Sequence, residues 1–109
     1  MSVGLDFVAH FLDMTKPTVS VTSPKAKAKV TTTPITATGK AADNVGVTAV
    51  WYQMNGGGWA SATSTTAFKT WAIPNLTVTA GTNTLSVYAE DAAGNVSATD
   101  TVVFTGLVP

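Results

Sequence analysis

The sequence predicts an all-β fold, an antiparallel sandwich, on three observations. Short runs alternate between apolar and polar residues, and turn signals divide them at intervals of roughly 8–12 residues. Threonine and valine are abundant, while Leu, Glu and Lys at helical spacing are scarce. After Lys16 no segment offers a helix of useful length, and a parallel sheet would need crossover helices.

The strands follow in order. Thr18 to Thr22 (TVSVT) alternates and stops at Ser23-Pro24. Lys25, Lys27 and Lys29 then alternate with alanine, as in a solvated loop or an edge strand guarded against pairing. Ile35 to Ala42 runs into the corner Asp43-Asn44-Val45-Gly46, and Val47 to Met54 into Asn55-Gly56-Gly57-Gly58. Asn-Gly accommodates positive φ at both central positions of a hairpin turn. Trp59 to Ala62 is brief, Phe68 to Val78 is interrupted at Pro74-Asn75, and Thr84 to Ala89 follows Gly81-Thr82-Asn83. After the corner DAAGN, residues 91 to 95, Ala98 to Thr105 closes a set of about seven strands.

The 109 residues fit one domain that buries its core without covalent staples. Cysteine is absent, which excludes a disulfide framework and leaves the compartment open. Six lysines balance six acidic residues, so no nucleic-acid partner and no acidic membrane surface is indicated. The surface is neutral and rich in hydroxyls, with twenty threonines and only Lys69 charged between residues 56 and 87, as is common in secreted proteins. Residues 1–14 are apolar but contain Asp6, His10 and Asp13 and lack a basic start. They read as neither a signal peptide nor a membrane-inserting helix, and stand apart from a domain over 15–109.

The order KPTVSVTSP, TGKAADNVGVTAVWYQMNGGGW, LTVTAGTNTLSVYAEDAAGN and a final strand resembles bacterial immunoglobulin-like domains, from about Asp13 to Thr105. The resemblance implies an immunoglobulin-like Greek-key β-sandwich in an extracellular or cell-surface chain, and a non-catalytic role. Such modules are strung along surface proteins or appended to secreted polysaccharide-degrading enzymes. The partners it implies are neighbouring domains of a larger chain, another protein or a polysaccharide.

In that topology the B–C and F–G loops share one end of the sandwich, which makes the two polar corners neighbours. Asp43, Asn44, Asp91 and Asn95, with Asp13 from the approaching chain, then form a candidate set of hard oxygen ligands for a structural Ca²⁺ ion. The competing reading is that Asp and Asn cap their own turns.

Alternation also sorts the strand faces. Val50, Tyr52 and Met54 share one face of their strand, and Leu85, Val87 and Ala89 one face of theirs; both sets suit a core. Trp51 and Tyr88 then point outward on neighbouring strands. With Gln53 they form a candidate surface for a sugar ring or a protein partner; alternatively, they are a cross-strand pair that stabilises the sheet or is covered by Phe7, Phe11 and Leu12. Trp59 is expected to pack where it closes the hairpin, and Trp71 to join the core with Phe68 or Ile73.

Catalysis has little support. His10 is the only histidine, and it lies outside the resemblance; no Cys nucleophile and no zinc-ligand cluster occurs. The apolar segment before the domain has three readings: an amphipathic helix, an added edge strand, or a leader foreign to the natural protein. Unfolded, it would promote self-association.

Overall fold

The computed structural model describes residues 15–109, all of whose regular elements are strands. They are β1 (Thr18–Ser23), β2 (Lys29–Val30), β3 (Ile35–Ala42), β4 (Val47–Met54), β5 (Ala60–Ser61), β6 (Thr70–Leu76), β7 (Gly81–Asp91) and β8 (Asp100–Gly106). Two sheets face each other, one in the order β1-β3-β6 and the other β2-β8-β7-β4-β5. Apart from the hairpin pairs β4–β5 and β7–β8, consecutive strands lie in different sheets, so the chain crosses the sandwich repeatedly, as a Greek key does.

Alternation decides which face each strand buries. Val50 on β4, Leu85, Val87 and Ala89 on β7, and Val102 and Phe104 on β8 point inward from the five-stranded sheet. They meet Ala37 and Ala41 of β3 and Trp71, Ile73 and Leu76 of β6. Tyr52 and Met54 pack at the margin of this core, half-buried rather than enclosed.

Seven strands are expected from sequence, and the structure adds β2. It pairs in parallel with β8, Lys29 beside Thr105 and Val30 beside Gly106, so the second sheet is mixed rather than wholly antiparallel. Its Lys29 sits on an edge, where charge discourages pairing with another chain. The edge of the other sheet is blunted differently: the Val21 N–H of β1 donates to Asp100 Oδ2 at 3.0 Å, which also ties the two sheets together.

Gly39 is the position where β3 comes closest to the indole of Trp71, its register partner on β6. It shares the inward face of β3 with Ala37 and Ala41, and a Cβ there would collide with the ring of Trp71 and the carbonyl oxygen of Ser20. The core reading of Trp71 holds, and the ring fits because residue 39 has no side chain.

The chain enters and leaves at opposite poles. Thr18 pairs with Ala42 beside the Asp43 corner, whereas Gly106 pairs with Gly81 at the far end of β7.

Candidate functional site

The first candidate is the pole where the chain enters. Val47 pairs with Asp91, so the corner between β3 and β4 adjoins the corner between β7 and β8 as the topology predicts. Each acidic residue organises its own backbone. Asp91 is buried; its Oδ1 accepts the N–H groups of Ala93 at 2.9 Å and Asn95 at 2.8 Å, and its Oδ2 accepts the Asn95 side-chain amide at 3.0 Å. Gly94, at φ 88°, completes the turn by donating to the Asp91 carbonyl.

Asp43 Oδ2 accepts the Val45 and Gly46 N–H groups, both at 3.2 Å, while its Oδ1 is buried without a partner. Asn44 lies in the same corner, exposed. Asp13 lies outside the described residues. Among the described residues no three His, Cys, Asp or Glu side chains gather where they could hold a metal ion.

Burial works against a charge on Asp91. The side-chain bond from Asn95 and the backbone donors of Asn95, Ala93 and Gly94 outweigh it and hold the carboxyl below the usual carboxylate range. A depressed folded-state pKa stabilises the fold above the unfolded-state value and ceases to do so as pH falls through the folded one. The melting temperature is therefore expected to hold from neutrality to about pH 5 and to fall below about pH 4, near the ordinary Asp value. Asp91→Asn, which keeps the shape but loses the charged acceptor, is expected to melt lower at pH 7 and to lose part of the acid slope; equal acid slopes in both proteins would refute this account.

The second candidate is the outer face of the five-stranded sheet. Trp51 pairs with Tyr88 and Gln53 with Ser86 across β4 and β7, so all four side chains share that face. The Trp51 indole N–H donates to Glu90 Oε1 at 3.3 Å, and the Gln53 amide donates to the Gly57 carbonyl at 2.9 Å. Trp51 and Tyr88 are each half-buried.

Trp59 corrects the expectation that it packs away. It is 44% exposed and meets Tyr88 edge-on, ring centroids 5.0 Å apart and planes at 69°. The aromatic patch thus has three members, Trp51, Trp59 and Tyr88. Sequence spacing hides the third, because Trp59 precedes the edge strand β5 and reaches across β4 to a strand it does not pair with. Phe7, Phe11 and Leu12, the suggested cover, lie outside the described residues.

This geometry can be set beside known proteins. The family model of the bacterial Ig domain matches residues 17–87. No curated protein matches the chain. Among solved structures, the fibronectin(III)-like modules of CbhA from Clostridium thermocellum align with a TM-score of 0.63 at 24% identity, over 87% of this chain and 48% of that one. An endo-beta-1,4-mannanase from Thermotoga petrophila aligns with a TM-score of 0.71 at 11% identity, over 89% and 21%. The SrpA adhesin from Streptococcus sanguinis aligns with a TM-score of 0.60 at 18% identity, over 88% and 60%. The chain thus spans less than two thirds of each of these proteins, and at these identities the likeness is one of fold. Two sheets, a shared pole for the polar corners and a family match over most of the domain lead to one statement: the chain belongs to the bacterial Ig domain family.

Proposed function

We propose that the domain is a non-catalytic, extracellular or cell-surface module that holds its neighbours in a longer chain apart and gives them, or another protein, a surface to rest against. The observation that carries this reading is the placement of the two chain ends at opposite poles, which makes the domain add its length to any chain it interrupts. The pole of arrival also exposes Val45 and Val96, apolar side chains suited to an abutting neighbour. Among the described residues no helix is long and apolar enough to cross a membrane.

The absence of cysteine makes the test direct. Spin labels on Lys16→Cys and Leu107→Cys are expected to give one narrow distance distribution centred near the length of the long strand, roughly 35 Å for eleven residues. A broad distribution, or a short distance, would sink the spacer reading. Calcium would find one ready oxygen at the entry pole, the buried Oδ1 of Asp43. A chelator-sensitive melting temperature that Asp43→Ala abolishes is the result that would add a structural ion to this role.

A second reading is favoured by the three-membered aromatic patch. Trp51, Trp59 and Tyr88, flanked by Gln53 and Glu90, offer ring surface beside polar groups, the combination that binds sugar rings, and would make the domain a carbohydrate-binding accessory of a secreted polysaccharide-degrading enzyme. Soluble polysaccharide that shifts tryptophan fluorescence, with Trp51→Ala and Trp59→Ala each removing the shift, would favour it over the spacer.

A further inference from the structure

The aromatic patch of the five-stranded sheet carries a charge that a neutral ligand would leave unused. Glu90 lies two residues beyond Tyr88 on β7, so the two side chains share the outward face. Its Oε1 accepts the Trp51 indole N–H at 3.3 Å. The other acids of this sheet are committed elsewhere: Asp91 is buried in its own turn, and Asp100 accepts the Val21 N–H of β1. No lysine occurs in β4, β5, β7 or β8, and Lys29 of β2 is separated from β7 by the width of β8.

A second, independent observation concerns the orientation of the rings. Trp59 and Tyr88 stand at 69° to each other with centroids 5.0 Å apart, so two ring faces meet in a corner, and the exposed Trp59 forms its outer wall. Trp51 is the cross-strand neighbour of Tyr88, and in such pairs the Cβ atoms are about 5 Å apart. Each ring face is the negative pole of an aromatic quadrupole. A corner of two such faces therefore attracts positive charge. The Glu90 carboxylate, by accepting the indole N–H, also pushes electron density into the Trp51 ring and strengthens that attraction.

We propose that this corner binds a free quaternary ammonium cation of the choline type, its methyl groups against the faces of Trp59 and Tyr88 and its charge toward Glu90. A trimethylammonium group spreads its charge over methyls that have no hydrogen bond to lose, and aromatic cages recognise it for that reason. A primary ammonium is strongly hydrated and would keep its water. A phosphate attached to the ligand would face Glu90 with no lysine on these strands to offset it, which favours the free cation over a phosphocholine headgroup. With one side of the corner open to water, the Kd is expected on the order of a millimolar. The proposal rests on the second reading above in taking the patch as a ligand surface, and names a cation where that reading names a sugar.

Three tryptophans give three indole N–H signals in a proton–nitrogen spectrum, and that of the buried Trp71 serves as an internal reference. Against sodium chloride of equal concentration, choline chloride is expected to move the Trp51 and Trp59 signals and leave Trp71 in place. Dimethylbutanol, the uncharged carbon isostere of choline, and phosphocholine are each expected to bind at least roughly threefold more weakly. Glu90→Gln keeps an acceptor for the Trp51 indole but removes the charge. It is expected to weaken choline by a similar factor while the melt stays unchanged, and Trp59→Ala to abolish the choline response. Trp51 and Trp59 signals that ignore choline overturn the proposal. So does equal binding of dimethylbutanol or of phosphocholine, or a Glu90→Gln variant that binds choline as well as the native domain. Cellohexaose separates the two ligands: a response to it alone leaves the sugar reading standing and overturns this one, and a response to choline alone does the reverse. Signals that answer neither overturn both.

Discussion

Gly39→Ala is expected to destabilise the domain by about 3 kcal/mol, the upper end of what overpacking usually costs. The added methyl meets two obstacles. The indole of Trp71 is held in the core by its neighbours, and the Ser20 carbonyl belongs to the backbone of β1, paired with β3 from Thr18 to Ser23. A flexible side-chain tip would swing away; neither of these can. For a domain of this size each kcal/mol lowers the melting temperature by about 4–8 °C, so a fall of well over 10 °C is expected in a thermal melt. Trp71→Phe removes part of the obstacle and should recover some of the loss when combined with Gly39→Ala. Strictly additive losses would show that the glycine is required for a reason other than the indole.

Asn83→Ala is expected to cost a similar amount, about 3 kcal/mol, by a different route. Asn83 is fully buried on β7 at the pole where the chain leaves. Its Oδ1 accepts the Thr79 N–H at 3.0 Å, the Thr79 hydroxyl at 3.1 Å and the Asn55 amide at 3.2 Å. Its Nδ2 donates to the carbonyls of Thr79 at 2.9 Å and Gly81 at 3.2 Å. Truncation leaves several of these groups buried and unmade, and each such group costs about 1–3 kcal/mol, with relaxation keeping the total below their sum. Asn83→Asp keeps the acceptor and loses the amide donors, and its melt is expected to fall between those of the native protein and the alanine variant. Hydrogen exchange supplies a local check: the Thr79 amide should lose protection in Asn83→Ala. An alanine variant as stable as the native domain would mean that water replaces the side chain at no cost.

Asn83 also shows what a sequence conceals. Gly81-Thr82-Asn83 reads as a turn, and a turn is there, but the side chain that closes it faces inward and joins two connections far apart in sequence. The local pattern was legible wherever the physics is local. Val50, Leu85, Val87 and Ala89 alternate because one face of each strand is dry, and Asp43 and Asp91 announce corners because their carboxylates bond backbone a few residues on. The pairing of Trp51 with Tyr88 followed from register alone.

Contacts between non-adjacent strands left no such trace. β2 is two residues long and too short to alternate, so only its partner in β8 makes it a strand. Trp59 looked like a packing residue because a hairpin neighbour suffices to bury an aromatic ring, whereas here the ring leans across β4 onto Tyr88.

The pairing of β2 with β8 bears on how the domain answers tension. A pull on the two chain ends draws β2 toward one pole and β8 toward the other, because the two run in parallel and lead to opposite ends. The bonds from Lys27 N–H to Val103, Thr105 N–H to Ala28 and Leu107 N–H to Val30 lie across that pull. They must slide past one another together rather than open one at a time, as a hairpin peeled from its end would. A strand of two residues is thus placed to act as the mechanical latch of the fold, and the domain should lengthen abruptly once it yields.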